Sequence, residues 1–162
     1  MTAACTIREA RTSDLDALVE LLGLLFALEA DFAVDAGRQR DGLDRLLAGA
    51  KNGLVLVASI PGEGIGGIAV GMATAQVVVS TSEGGPALLV EDVVVRPGFR
   101  NQGIGRALLA RIESWGAALG ATRLQLLADK DNAPAYDFYR ACGFHSTNLV
   151  CLRRTLPRAT GK

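Results

Sequence analysis

Cysteine is scarce in this chain: Cys5, Cys142 and Cys151 are an odd number, widely spaced and without a CxxC pair. That argues against a disulfide framework or a thiolate zinc site and for a reducing compartment. A surplus of either charge is also missing, since 17 Lys and Arg balance 17 Asp and Glu among 162 residues. Without a basic surplus, nucleic acid is disfavoured as a ligand. Long apolar runs are lacking too, because Arg, Asp, Glu or Gly interrupts each one, so no membrane span is expected. The opening Met1-Thr2-Ala3-Ala4-Cys5-Thr6-Ile7-Arg8 lacks the basic-then-apolar order of a signal peptide. A cytoplasmic location follows as the expectation. Histidine occurs once, at His145, and alone supports neither a metal ligand nor a base. Asp129-x-Asp131-Asn132 lacks the turn glycine and closing Glu of a calcium loop, so no metal is expected.

Hydrophobic residues, in contrast, make up 49% of the chain, enough for a sizeable core in one domain. The expected domain covers residues 1–157, with a frayed tail at 158–162. Thr6–Glu9 reads as a strand. Ser13 is expected to cap a helix with Leu15, Leu18, Leu22 and Leu25 on one face. Residues 31–37 break that pattern, and a weaker helix covers about Gln39–Ala48. Leu54–Ile60 and residues 65–79 read as strands joined by the turn Pro61-Gly62-Glu63-Gly64. After a polar loop, Ser80–Pro86, a further strand runs through Val95. Ile104, Leu108, Ile112, Trp115 and Leu119 have helical spacing, and Gly120 stops that helix. Thr122–Leu127 is the next strand. Asn132 caps a helix with Pro134 in its first turn and Gly143 at its end. Phe144–His145 and Leu149–Leu156 are expected to be the last strands. The order is β-α-α-β-β-β-α-β-α-β-β, without repeats or a linker.

The stretch Val90–Gly105 carries the most chemistry. An apolar strand enters a polar turn and then a helix that opens on Gly103 and Gly105. The first helical turn offers N–H groups without intrahelical partners and partial positive charge, which suits a phosphate. Two known phosphate motifs do not fit. Gly98 and Gly103 have the P-loop gap, but Ile104-Gly105 replaces its Lys-Ser/Thr. Gly103-Ile104-Gly105-Arg106-Ala107-Leu108 has Leu where a dinucleotide fingerprint needs its third glycine. The spacing Arg100-x-x-Gly103-x-Gly105, followed downstream by Asn132-x-x-Ala135-x-x-Phe138-Tyr139-x-x-x-Gly143-Phe144, resembles the two hallmark blocks of the GNAT family of N-acetyltransferases. The resemblance is strongest over residues 88–145, while the order of elements extends it to nearly the whole chain.

The resemblance implies a single-domain α/β fold with a mixed, largely antiparallel sheet and helices on both faces. It implies acetyl-CoA as co-substrate. Its pyrophosphate would lie on Arg100, Asn101, Gln102, Gly103, Ile104, Gly105 and Arg106, and its pantetheine arm on the backbone of Val93, Val94 and Val95. It also implies a bulge in that strand, with Thr122–Leu127 across the opened gap, and places Asn132 near the pantetheine arm. Tyr139 would protonate the departing thiolate; otherwise it fills the gap between helix and sheet.

Glu91 and Asp92 are adjacent carboxylates in an apolar strand, so alternation aims at least one inward or into a cleft. A carboxylate there suits deprotonation of an alkylammonium, because only the free amine attacks a thioester. Glu91 is the favoured base, with Asp92 the alternative or the substrate-orienting group. Each also fits a structural hydrogen bond to a neighbouring loop. Cys142 as a covalent carrier lacks a triad partner and reads better as a small buried residue.

The reaction implied is direct acetyl transfer in a ternary complex to a primary amine, with a small-molecule acceptor favoured. A protein lysine or N-terminal acetyltransferase and a non-catalytic acyl-CoA sensor are the alternatives. Glu29, Asp31, Asp35 and Asp41, interleaved with Phe26 and Phe32, would suit an amine. Arg38, Arg40 and Arg45 lie in the same stretch, however, and a salt-bridged helix surface accounts for these charges without a ligand. A homodimer paired through Leu149-Val150-Cys151-Leu152 and an intramolecular sheet edge are equally compatible with the terminal apolar segment.

Overall fold

In the structure, a computed structural model, residues 5–29, 31–49, 51–63 and 66–157 are described. Gly64 of the expected hairpin turn, Ile65 of the following strand, Met1–Ala4 and the tail at 158–162 lie outside them. Two compact units are present, Met1–Leu126 and Leu127–Lys162.

The first unit is built on a five-stranded sheet in sequential order. Its strands are β1 (Thr6–Glu9), β2 (Gly53–Ile60), β3 (Ile68–Ser80), β4 (Gly85–Val95) and β5 (Leu124–Leu126). Neighbours from β1 to β4 run antiparallel, and β4 and β5 run parallel. The sheet is therefore mixed and mostly antiparallel, as expected. Helices α1 (Leu15–Phe26), α2 (Ala36–Ala48) and α3 (Ile104–Ala118) complete the unit.

Alternation along β2 assigns the helices to opposite faces. Val55 and Val57 pack in one cluster with Leu15, Leu18, Leu21 and Leu22 of α1, Leu43 of α2, Met72 and Val94. Leu56, between the two valines, is fully buried and so must be covered from the other side. There α3 crosses β2, β3 and β4, and a Cβ on Gly116 would come within 2.8 Å of Leu88 Cδ1.

Several boundaries differ from the sequence expectation for local reasons. Asp14, rather than Ser13, opens α1, after a 3-10 turn over Thr12–Asp14. The Asp14 carboxylate accepts the Arg11 N–H at 2.7 Å and both Arg8 guanidinium NH groups at 2.7 and 2.8 Å. These bonds hold its pKa below the usual carboxylate value, the Arg8 hydrogen bond contributing most. Helix α2 begins at Ala36, three residues early, because the Asp35 side chain accepts the Arg38 N–H at 3.0 Å. Strand β4 begins at Gly85 rather than after Pro86, while β5 is shorter than Thr122–Leu127. Leu119 caps α3 and is exposed instead of extending its apolar face, and Gly120 turns the chain at φ 74°.

Asp14→Ala is expected to cost about 1–3 kcal/mol, since it leaves Arg8 and the Arg11 N–H without their acceptor. A group with a depressed folded pKa stabilises fully above its unfolded pKa, and that stability is lost as pH falls through the folded value. Urea titrations of wild type and variant should therefore differ at pH 7 and converge in acid. Equal midpoints at pH 7 would remove Asp14 as a stabilising anchor.

In the second unit, α4 (Ala133–Ala141) has Pro134 in its first turn and is capped by Asn132, whose Oδ1 accepts the Ala135 N–H at 3.2 Å. Gly143 follows at φ 89°. The expected strands Phe144–His145 and Leu149–Leu156 do not form: residues 144–157 contain no strand. An apolar run becomes a strand only where a partner backbone takes up its N–H and C=O groups. Leu149 N–H instead donates to Thr147 Oγ1 at 3.2 Å, and Leu149, Val150, Leu152 and Leu156 are exposed. The intramolecular terminal strand edge is thereby corrected for the described residues.

Candidate active site

One irregularity in the β3–β4 hairpin organises the site. Ala73 pairs with Val93 and Ala75 with Val90, so Thr74 alone opposes both Glu91 and Asp92. This is a β-bulge, which re-aims side chains and breaks their alternation. Both carboxylates consequently line the same open cleft of about 760 Å³, instead of pointing to opposite faces.

Their surroundings differ. Thr74, fully buried, donates its hydroxyl to Asp92 Oδ2 at 2.7 Å and accepts the Asp92 N–H at 3.1 Å. Burial raises the Asp92 pKa above its ordinary value; the Thr74 hydroxyl opposes that rise, and the neighbouring Glu91 charge adds to it. Glu91 is exposed to solvent and accepts from Gln76 Nε2 at 3.2 Å. A reachable carboxylate beside a desolvated, tethered one can accept a proton and hold a cation.

The bulge also decides which backbone groups face outward. Asp92 N–H and Arg96 N–H both point toward β3, the latter donating to Val70 O at 2.8 Å. Alternation then turns the N–H and C=O of Val93 and Val95 the other way. On that side the β4–β5 ladder ends at Val90–Leu126. The outward edge of residues 91–95 therefore continues past its strand neighbour, as an added extended chain would require. Val95 O also accepts Arg100 Nε at 3.0 Å, which folds the following loop back onto the strand end.

That loop holds two left-handed residues, Asn101 at φ 61° and Gly103 at φ 80°. Asn tolerates this region and Gly has no penalty there. Gly103 caps α3, and Ala107 N–H makes the first bond back to Gly103 O at 2.9 Å. The N–H groups of Ile104, Gly105 and Arg106 thus precede the helical ladder and are available to an anion. Gln102 Nε2 donates to Gly98 O at 3.3 Å, and Arg100 and Arg106 are exposed.

The first two helices and their connection supply the other cleft wall. Phe26, Asp31, Phe32, Asp35, Arg38 and Arg45 line it. Part of the charge there is structural: Asp35 pairs with Arg38 at 2.9 Å, and Arg40 pairs with Asp16. Sequence reasoning missed Thr74, Gln76 and Gln39, which also line or support this cleft. Thr74 and Gln76 interrupt an apolar strand, and pairing the hairpin in register sets Thr74 opposite Glu91, with Gln76 two residues away opposite Leu89.

In the second unit, Tyr139 lies between two aromatics on α4 and just after it. Its ring centroid is 5.1 Å from Phe138 and 5.7 Å from Phe144, the latter edge-on. Asn132 lies at the start of the same helix as its cap.

The sequence profile of the acetyltransferase (GNAT) family matches residues 21–144, which span the bulge, the phosphate-type loop and α4. The chain belongs to the GNAT acetyltransferase family. It is an acetyl-CoA-dependent N-acetyltransferase. This acetyltransferase is 30% identical over 151 residues to an aminoglycoside N(6')-acetyltransferase type 1 of Stenotrophomonas maltophilia, covering 93% of this chain and 92% of the relative. It is 41% identical over 66 residues to the streptothricin acetyltransferase of Streptomyces lavendulae, covering 41% of this chain and 35% of that one. Its fold matches a solved aminoglycoside N-acetyltransferase in complex with CoA, with a TM-score of 0.79 and 21% identity over 96% of this chain and 97% of that one.

Proposed function

We propose that the acceptor is a small polycationic amine of the aminoglycoside type. The observation that carries this reading is the cleft itself, where Asp31, Asp35, Glu91 and Asp92 gather beside Phe26 and Phe32. The two rings pack with centroids 5.4 Å apart and form an apolar wall. Four carboxylates against Arg38 and Arg45 favour a ligand with several ammonium groups. The aminoglycoside acetyltransferase relative, aligned over nearly its full length, supports the same class.

In the proposed reaction, the N–H groups of Ile104, Gly105 and Arg106 hold the pyrophosphate, with Arg100, Asn101, Gln102 and Gly103 shaping the loop. The Val93 and Val95 backbone groups pair with the pantetheine arm, the Val94 backbone being turned to Met72 of β3 instead, and Asn132 adds a contact near it. Asp92 holds the incoming ammonium, and Glu91 takes its proton, directly or through water. The freed nitrogen lone pair attacks the thioester carbonyl, whose oxyanion is stabilised by backbone N–H groups. The C–S bond then breaks, the nitrogen gives up its second proton to water, and the Tyr139 phenol protonates the departing thiolate and is reprotonated from water.

A thiolate with a thiol pKa near 8.5 is already a fair leaving group, so the acid contributes modestly. Tyr139→Phe should lower kcat about tenfold, with little change in acetyl-CoA affinity. An unchanged kcat would remove Tyr139 as the acid. The acceptor class is tested by acetyl-CoA-dependent thiol release across aminoglycosides, alkyl polyamines and lysine peptides. The highest kcat/KM is expected with an aminoglycoside; a clear preference for peptides would overturn the reading in favour of a protein acetyltransferase.

A further inference from the structure

Thr74 breaks an apolar stretch of β3, where Met72, Ala73 and Ala75 are, like it, fully buried. Burying a hydroxyl is costly unless it is hydrogen-bonded, and Val would fill the same space with nothing to satisfy. Among the described residues its hydrogen bonds go to Asp92 alone: it accepts the Asp92 N–H at 3.1 Å and donates to Asp92 Oδ2 at 2.7 Å. A hydroxyl carries one proton, so that donor is fully committed. The side chain that carries it is β-branched and stiff at χ1, on a strand paired with β2 on one side and β4 on the other. Asp92, by contrast, stands in the bulge, where the ladder does not fix it.

The two oxygens of Asp92 are thereby made unequal. Oδ2 is taken by Thr74, whereas Oδ1 has no hydrogen-bond partner among the described residues. The buried side-chain atoms left unpaired among those residues belong to Gln39, so Oδ1 is not sealed off and opens on the cleft that Asp92 lines. An ammonium only donates and needs such an acceptor. We propose that Thr74 is a positioning residue, whose hydroxyl ties the bulged Asp92 by its N–H and Oδ2 and so presents Oδ1 to the ammonium of the acceptor. This rests on the role given to Asp92 above and extends it to a residue outside the cleft lining. The same hydrogen bond favours the ionised carboxylate against the effect of burial, and the ionised state is the one that attracts a cation.

The test compares Thr74→Val, Thr74→Ser and Asp92→Ala with wild type, and adds the double variant of Thr74→Val with Asp92→Ala. Thiol release is measured with whichever amine wild type turns over best, so the outcome does not depend on the acceptor class. Thr74→Val is expected to raise the acceptor KM about tenfold, with kcat within about threefold and the acetyl-CoA KM unchanged. The acid limb of its kcat/KM profile should move to higher pH, because the donor that favoured ionised Asp92 is gone. Glu91 beside it and Asp31, Asp35, Arg38 and Arg45 around the cleft are retained in the variant and do not account for a shift. Thr74→Ser should restore most of the KM and of the limb position. In the Asp92→Ala background, Thr74→Val should add less than about twofold. An impaired Asp92→Ala beside wild-type KM and limb in Thr74→Val overturns the Thr74 assignment alone. Losses that multiply in the double variant also overturn it, because the side chain then acts apart from Asp92. Equal losses in Thr74→Val and Thr74→Ser with lower melting temperatures do the same, since packing and not the hydroxyl is then at work. Asp92→Ala with the wild-type acceptor KM removes Asp92 from ammonium binding, and the assignment with it.

Discussion

Glu91→Gln is expected to lower kcat/KM for the amine by about 10² to 10⁴-fold, and Asp92→Asn by about 10²-fold, with the acetyl-CoA KM nearly constant in both. The two variants should differ in stability. Glu91 is exposed, so its neutralisation leaves the fold nearly unaffected. Asp92 is held at a raised pKa by burial, with Thr74 as its hydrogen-bond donor. A raised folded pKa means that this group's contribution is most favourable below its unfolded pKa, near 3.9, and is lost as pH rises through the folded value. Above its unfolded pKa the buried Asp92 carboxyl therefore costs stability, and Asn can still accept the Thr74 hydroxyl. Asp92→Asn should melt higher than wild type at pH 7, and the gap should close as the pH is lowered toward the unfolded value. A lower melting temperature at pH 7 would contradict the burial argument. Wild-type kinetics with both variants would remove the carboxylates from the reaction.

The second large effect concerns the phosphate-type loop. Gly103→Val should raise the acetyl-CoA KM roughly 5- to 150-fold, the equivalent of about 1–3 kcal/mol of backbone strain. Gly103 has φ 80°, and a Cβ there would meet nothing within 4 Å. The effect thus comes from the backbone angle and not from a clash: a β-branched residue leaves the left-handed region and pulls the first α3 amides out of line. Gly98→Ala is the control in the same loop, since Gly98 has open space and no positive φ. Its acetyl-CoA KM should match wild type. Equal KM values for Gly103→Val and wild type would detach the loop from co-substrate binding.

Features set by short-range patterns were legible in the sequence. The leucines of α1, the apolar face of α3 to Trp115, the Asn132 cap and the stops at Gly120 and Gly143 follow from helical period and terminal chemistry. Features set by partners were less so. The bulge at Glu91–Asp92 depends on the register of β3 against β4, and that register places the two acids in one cleft. Residues 144–157 show the converse, since β-propensity without a partner strand yields no strand. Gln39 is marked by its place in the helical period of α2. It stands four residues before Leu43 on the apolar side of α2, where a polar side chain needs a reason. The acceptor-side charges read as a salt-bridged surface, and the Asp35–Arg38 and Arg40–Asp16 pairs agree. Asp31, Phe26 and Phe32 nonetheless share the cleft with Glu91 and Asp92, a grouping of residues distant in sequence.

A crystal structure of the enzyme with CoA and an aminoglycoside tests the site most directly. The account predicts the pyrophosphate on the amides of Ile104, Gly105 and Arg106, and an acceptor amine within hydrogen-bond reach of Glu91 or Asp92. An acceptor bound away from this cleft, with both carboxylates facing only solvent, would contradict it.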